Sequence, residues 1–181
     1  MDRNPEKNCM KLDLIEFEFR ECTESDIDDI MAVQEDAFLH LENPELLRRN
    51  SREMLLECLS KPHYTVGAYY KGELAAFSVL YYPYTDAENL AVNLEGVDYT
   101  GMRHANYKLC IVKHEYIGNS LQRHLANKLL ERAIADGVNI VCATASPENI
   151  YSIRNIEKLG FKYNRTLEKY GYSRNLYYKV L

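Results

Sequence analysis

The chain has 181 residues, of which 46% are hydrophobic and 27% are charged. This composition is close to that of an average globular domain and argues against disordered, collagen-like and membrane-spanning classes. The formal net charge is -5 and the charges are interspersed, which argues against nucleic acid as a partner. We expect one domain over residues 1–181, with a disordered tail at residues 1–10.

The N-terminal half mixes strand-like and helix-like patterns. It predicts a half-buried strand at residues 12–20, then a helix with Thr23 as N-cap and a second helix at residues 44–59. A hairpin of two strands follows, at residues 64–70 and 73–82. The Lys71-Gly72 pair is typical of a tight hairpin turn. Residues 83–103 show no clear pattern.

The C-terminal half predicts strand, helix, strand, helix and two closing strands, at residues 107–113, 119–135, 140–144, 149–159, 161–167 and 175–180. This order implies an α/β fold with a mixed sheet flanked by helices. A strand-helix-strand unit joins parallel strands, so we expect the strands at 107–113 and 140–144 to be the parallel pair.

The cysteines are odd in number and scattered, at Cys9, Cys22, Cys58, Cys110 and Cys142. They show no metal-binding spacing, and the histidines carry none either, so we expect no metal. This pattern indicates a reducing compartment. The first residues show no apolar stretch behind a basic flank, and no apolar run of about 18 residues occurs, so we expect neither export nor a membrane span. The sequence therefore predicts a cytoplasmic protein with no membrane partner.

A glycine-containing turn joins the strand at 107–113 to the following helix. From Val112 to Arg123 it reads Val-Lys-His-Glu-Tyr-Ile-Gly-Asn-Ser-Leu-Gln-Arg. The unpaired amides and the dipole of such a helix start can hold a phosphate without a basic side chain. An ordinary strand-helix turn capped by Asn119 or Ser120 is the alternative.

A second motif runs from Ser146 to Phe161. Asn149 and Ser152 open its helix, and Glu-Lys-Leu-Gly-Phe closes it. With the preceding turn, this motif resembles the GNAT superfamily of acyl-CoA-dependent N-acetyltransferases. A capped amphipathic helix that ends at a glycine is the alternative for this motif alone.

The first motif departs from the family pattern in several places. The family turn reads Pro-(Asp/Glu)-Tyr-Arg-Gly-x-Gly-x-(Gly/Ala) after a valine, and the matching positions are Val112, Glu115, Tyr116, Gly118 and Leu121. His114 replaces the proline, Ile117 the arginine, Ser120 the second glycine and Gln122 the last small residue. If position 120 needs a positive φ, serine costs about 1 kcal/mol or more relative to glycine.

The resemblance implies a GNAT-like fold with a central, mostly antiparallel mixed sheet, in which the strands near 107–113 and 140–144 are parallel and splayed. It also implies that acetyl-CoA is the cofactor. The pantetheine arm would meet the main chain of Cys110, Ile111 and Val112, and also Asn149 and Ser152. The pyrophosphate would meet the amides of Ile117, Gly118, Asn119, Ser120, Leu121, Gln122 and Arg123.

The reaction implied is acetyl transfer to a primary amine of a small molecule or peptide by direct attack. An alkylammonium titrates near roughly 10.4, so a base must remove a proton. Candidate bases are Glu88, Glu95, Asp98 and His104, with Glu95 and His104 preferred; each could instead be a solvated loop residue. Ile156 stands where many relatives carry a tyrosine acid, so Tyr151 is a candidate substitute.

Three hypotheses remain from the sequence: an acetyltransferase, a catalytically silent acyl-CoA-binding protein, and an α/β domain that does neither. The sequence does not identify the acceptor and leaves a homodimer open.

Overall fold

Seven strands and four helices form the chain over residues 9–181, which is the part that the computed structural model describes. The strands are β1 (Phe17–Glu21), β2 (Tyr64–Tyr70), β3 (Glu73–Tyr81), β4 (His104–Val112), β5 (Ile140–Ala145), β6 (Lys162–Lys169) and β7 (Tyr172–Val180). The helices are α1 (Ile27–His40), α2 (Arg52–Leu59), α3 (Leu121–Ala135) and α4 (Ile150–Lys158).

All seven strands belong to one sheet, in the order β1-β2-β3-β4-β5-β7-β6. Neighbouring strands are antiparallel except β4 and β5, which are parallel. The predicted mixed, mostly antiparallel sheet and its parallel pair are therefore confirmed.

Helices cover both faces of this sheet, because alternate strand residues point to opposite sides. On one face, the α1 residues Ile30 and Val33 pack with Phe77 and Ile111 of the sheet. On the other, α3 and α4 pack against a cluster that contains Tyr107. The side chains of β4 thus contact α1 on one face of the sheet and α3 and α4 on the other.

The parallel pair opens along its length. Pairing runs only from His104↔Ile140 to Tyr107↔Ala143, although β4 continues to Val112. On its other side, β4 carries a bulge at Lys108, because Leu80 pairs with Tyr107 and Val79 with Leu109. Beyond Tyr107, the edge of β4 that faces β5 is therefore unpaired, and the predicted splaying is confirmed.

Several predicted boundaries were wrong, and local capping explains two of them. Residues 14–16 form a 3-10 turn closed by the Glu16 carboxylate, so β1 begins at Phe17 rather than at residue 12. The predicted helix 44–59 is a 3-10 turn followed by α2, because the Ser51 hydroxyl caps a new helix start. β4 begins at His104, three residues earlier than predicted.

Most of the predicted tail at residues 1–10 lies outside the described residues. Cys9 and Met10 are described, and both contact the turn before α3. The Met10 amide donates to the Glu115 carbonyl at 2.8 Å, and the Cys9 thiol lies 3.3 Å from the His114 carbonyl.

Candidate functional site

A cleft of about 370 Å³ lies where β4 and β5 part. Five parts of the chain line it: the loop between α1 and α2 with α2 itself, the loop after β3, the strands, the starts of α3 and α4, and the β6–β7 hairpin. The lining residues are Leu46, Leu47, Arg48, Asn50, Met54, Tyr81, Ala87, Glu88, Leu90, Asn106, Tyr107, Lys108, Leu109, Cys110, Gln122, Ala143, Thr144, Ala145, Ser146, Asn149, Tyr151, Ser152, Ile156, Tyr170 and Arg174.

The turn before α3 presents a row of free main-chain donors. Within the described part of the chain, the six consecutive amides from Gly118 to Arg123 donate no hydrogen bond. An ordinary helix leaves four such amides, and they bind anions together with the helix dipole. The Ile117 amide is not part of this row, because it donates to the His114 carbonyl at 3.2 Å.

Two residues of this turn have left-handed backbones, Gly118 with a φ of 90° and Ser120 with a φ of 59°. The Ser120 side chain makes no capping hydrogen bond to α3. A left-handed conformation costs a non-glycine residue about 1–2 kcal/mol. Position 120 therefore does require the conformation that the family glycine adopts easily.

The N-terminal segment packs against the same turn. The Asn119 side chain accepts from the Leu12 amide at 2.9 Å and donates to the Met10 carbonyl at 2.7 Å. These bonds place the Lys11 ammonium beside Gly118, 2.7 Å from where a β-carbon on that glycine would lie. A positive charge therefore lies next to the turn, although Ile117 has replaced the family arginine.

The start of α4 forms the opposite wall. The Asn149 carboxamide oxygen caps this helix by accepting from the Ser152 amide at 3.0 Å. Asn155 donates to the Gln122 side-chain oxygen at 2.7 Å and so connects α4 to the start of α3. Asn149, Ser152 and Gln122 all face the cleft, so the two motifs found in the sequence meet there.

The Tyr107 hydroxyl is a buried donor without a partner in the described part of the chain. Tyr107 lies at the last paired position of β4, faces the cleft and is near Cys110, Ser78 and Gln122. Burial raises the pKa of Tyr107 well above its ordinary value and raises the pKa of the Cys110 thiol to about 11. Both groups are therefore protonated near neutral pH.

A charged cluster occupies another wall of the cleft. The Tyr81 hydroxyl lies 2.6 Å from Glu88 and 2.8 Å from Glu57, and its single proton is donated to one of these two carboxylates at a time. The Lys108 ammonium lies 3.5 Å from the centre of the Tyr81 ring. The hydrogen bond from Tyr81 lowers the pKa of Glu88, with further help from Lys108. Glu88 is therefore an anion that faces the cleft.

His63 stacks on Tyr81 at 4.0 Å, but it is a poor candidate for the base. Its Nδ1 accepts from the Tyr82 amide at 3.1 Å, which places the ring proton on Nε2. Burial lowers the pKa of His63, so the ring is neutral and has no free acceptor nitrogen.

The preferred catalytic candidates from the sequence are not brought together. Glu95 is exposed and ion-paired with Arg165, and His104 contacts Asn89 at the start of β4; neither lines the cleft. Asp98 is also outside the cleft, where it accepts from the Thr100 amide. Tyr151 does line the cleft, with 82% of its surface exposed. Of the four candidate bases, only Glu88 faces the cleft.

Several residues that the resemblance assigns to the cofactor lie in the cleft, unlike Glu95 and His104. Cys110 lines the cleft, and Val112 follows it along the unpaired edge of β4. The Ile111 side chain points to the opposite face, so only its main chain is available. Sequence reasoning missed Lys11 and Tyr107. Lys11 showed no signal, but Tyr107 was a large polar residue in a buried strand and could have been noticed.

Between residues 9 and 181, no helix has both the length and the apolar character required to cross a membrane. Over the same residues, no three His, Cys, Asp or Glu side chains are grouped so that they could hold a metal ion. All five cysteines are free thiols.

Solved structures share this fold. A ribosomal-protein-alanine N-acetyltransferase from Brucella melitensis is 20% identical, with a TM-score of 0.69 over 91% of this chain and 99% of that chain. A Salmonella typhimurium protein solved with its cofactor acetyl-CoA is 17% identical, with a TM-score of 0.68 over 92% and 94%. A GNAT-family acetyltransferase from Streptococcus pneumoniae is 16% identical, with a TM-score of 0.70 over 92% and 99%.

At these identities the structures show the fold alone. Among curated proteins, no sequence matches the chain significantly. The model of the acetyltransferase (GNAT) family matches residues 27–161. Since this match spans well over half of the chain, the protein belongs to the GNAT acetyltransferase family.

Proposed function

We propose that this protein transfers an acetyl group from acetyl-CoA to a primary amine of a small molecule or peptide by direct attack. The row of six free amides from Gly118 to Arg123, directly after the unpaired edge of β4, carries the proposal. A related fold from Salmonella typhimurium was solved with acetyl-CoA, which supports the same cofactor here.

The turn and the strand edge fit the two halves of the cofactor. The amides of Gly118, Asn119, Ser120, Leu121, Gln122 and Arg123 would hold the pyrophosphate, with Lys11 as the nearby cation. The main chain of Cys110 to Val112 would pair with the pantetheine arm as an added strand. The Asn149 amide nitrogen would donate to that arm, since only the oxygen of this side chain is used for capping.

When bound, acetyl-CoA supplies an acetyl group activated as a thioester. The protein contributes a proton donor near that group. The Tyr107 hydroxyl is buried, protonated and without a partner where β4 and β5 part, so we assign it the role that a tyrosine at position 156 has in many relatives. It would protonate the departing thiolate. A thiol titrates near roughly 8.5, so this donor assists departure without being indispensable.

Glu88 is the group that we assign to the acceptor amine. Its carboxylate faces the cleft and would attract the ammonium form of the amine. Because the pKa of Glu88 is lowered, it is a weak base, and the proton would pass from the amine to water beside it. This assignment replaces Glu95 and His104, which lie outside the cleft.

A catalytically silent acyl-CoA-binding protein is the second candidate. The observations that favour it are Ile156 at the usual acid position and the strained Ser120 in the turn. Both candidates predict cofactor binding, and only the first predicts thiol release.

The deciding experiment has two stages. Thermal unfolding with acetyl-CoA tests binding, because ligand at about one hundred times its dissociation constant adds roughly 2.7 kcal/mol to stability. No shift at millimolar acetyl-CoA would reject both candidates. Thiol release with small amines and with peptides that have free N-termini then tests transfer.

Two tryptophan variants of α4 provide a matched control. Ser152 faces the cleft, whereas Arg154 is exposed on the same helix and lines no part of the cleft. Ser152→Trp should therefore abolish the acetyl-CoA shift, and Arg154→Trp should retain it. Equal shifts in both variants would place the cofactor elsewhere.

A further inference from the structure

Arg174 is a buried charge that the described part of the chain does not neutralise. It is 5% exposed, and its guanidinium donates to the carbonyls of Glu45 at 3.1 Å and Ser173 at 3.3 Å. No ion pair is found for it within the described residues. A guanidinium has five N–H donors, so three remain unused. Burying a charge without a counter-charge is costly, and this burial lowers the pKa of Arg174.

A second unneutralised guanidinium lies on the same cleft. Arg48 belongs to the loop between α1 and α2, and its charge lies 4.3 Å from the centre of the Tyr170 ring. It too has no ion pair within the described residues. Arg174 bonds this loop through Glu45, so the loop and the β6–β7 hairpin meet over the cleft. Two positive charges therefore converge on one opening.

The chain does not lack carboxylates for pairing arginines. Within the described residues, five other arginines form ion pairs, namely Arg20, Arg49, Arg52, Arg132 and Arg165, and the three others without one, Arg103, Arg123 and Arg154, are exposed to solvent. Arg49, directly after Arg48, pairs with Glu35 and lies outside the cleft. The two cleft arginines thus keep their charge available in a protein whose formal net charge is -5.

We propose that Arg174 and Arg48 bind a carboxylate or phosphate group of the acceptor, so the acceptor is an amine that also carries an anionic group. This inference rests on the proposed acetyl transfer. Glu88 faces the same cleft and complements the ammonium end of such a molecule. Arginine suits this task because its planar donors bind carboxylate and phosphate in pairs.

The test compares acceptors that differ only in the anionic group. Thiol release is measured with β-alanine against β-alaninamide, and with O-phosphoethanolamine against ethanolamine. We expect kcat/KM to be about tenfold or more higher for the anionic member of at least one pair. The pair that shows the preference identifies carboxylate or phosphate as the recognised group. Equal or faster turnover of the neutral member in both pairs would overturn the inference.

Three arginine variants test which side chains recognise the anionic group of the acceptor. Arg174→Gln and Arg48→Ala should each reduce the preference toward parity, and Arg49→Ala should keep it. Arg174→Gln should not lower the unfolding temperature of the free protein, because it removes an uncompensated buried charge. If that variant does not fold, Arg48→Ala decides the question alone. A preference retained in every cleft variant that folds would refute the assignment.

Binding without turnover gives an independent readout. With CoA present, the preferred anionic acceptor should raise the unfolding temperature of the wild type and of Arg49→Ala, but not of Arg174→Gln or Arg48→Ala. A normal acetyl-CoA shift without any anion preference would reject this inference alone. Absence of both the acetyl-CoA shift and thiol release would reject the proposed function, and this inference with it.

Discussion

The Lys11 ammonium lies against Gly118, 2.7 Å from where a β-carbon on that glycine would be. The two residues are far apart in sequence, and Asn119 brings them together by bonding the main chain on both sides of Lys11. Lysine thus supplies charge from outside the turn, where the family has an arginine within it.

Lys11→Ala should weaken CoA binding by about threefold to fivefold, since an exposed charge pair contributes up to about 1 kcal/mol. The loss should shrink at high salt, because screening weakens exposed charges. Calorimetric titration at two salt concentrations measures both effects. Lys162→Ala, an exposed lysine that lines no part of the cleft, is the control and should bind normally. A dissociation constant unchanged by Lys11→Ala at low salt would contradict the role of this lysine.

Ser120→Gly should stabilise the protein. Relief of the left-handed strain gains about 1–2 kcal/mol, and the extra freedom of glycine in the unfolded chain offsets about 0.5–1 kcal/mol. We expect a net increase of about 0.5–1 kcal/mol in the free energy of unfolding, measured by urea denaturation. Ser120→Ala should change little, because the hydroxyl makes no capping bond. A loss in Ser120→Gly would show that this serine has another partner.

Element order and the parallel pair were predictable because they depend on local periodicity and caps. The splay was expected from the family turn and helix motifs rather than from any property of β4 itself. Ser120 is an intermediate case: the sequence identified the position as sensitive, and the φ of 59° settled its conformation. Local pattern therefore predicted the sheet, and the family resemblance, not the pattern, predicted which residues would hold the cofactor.

The wall of the cleft that we assign to the acceptor was not predictable, because it depends on contacts between distant segments. The irregular residues 83–103 gave no way to tell that Glu88 faces the cleft while Glu95 pairs with Arg165. The bulge at Lys108 changes which side chains of β4 share a face, so Tyr107 and Cys110 point the same way. No periodic pattern indicates such a shift.

Tyr107→Phe should lower kcat by about tenfold while leaving CoA affinity unchanged, because the hydroxyl acts on the leaving thiolate. The free protein should be as stable as the wild type or more so, since the change removes an unpaired buried donor. Because the pKa of Tyr107 is raised well above its ordinary value, the wild type should show no loss of this donor up to pH 10. Tyr151→Phe is the control, and a larger loss there would favour Tyr151 as the acid.

Glu88→Gln should lower kcat/KM for the amine by about tenfold or more, because it removes the anion that attracts the ammonium. Glu95→Gln should leave it unchanged, since that carboxylate lies outside the cleft. Steady-state kinetics at saturating acetyl-CoA separates the two variants. The reverse result would restore Glu95 as the base.

Asp26→Asn should reduce stability at neutral pH and not in acid. Hydrogen bonds from Arg20, the Thr23 amide and Tyr69 lower the pKa of Asp26 from 3.8 to about 2 in the folded protein. A lowered folded pKa contributes stability that is fully present above the unfolded value and disappears as the pH falls through the folded value. With Arg20 partly exposed, we expect a difference of about 1–2 kcal/mol at pH 7 that declines between pH 4 and pH 2. Urea denaturation across this range measures it, with Asp28→Asn, an exposed carboxylate on α1, as the control. A stability difference between wild type and Asp26→Asn that persists undiminished at pH 2 would mean that Asp26 stabilises the fold through packing rather than through its charge.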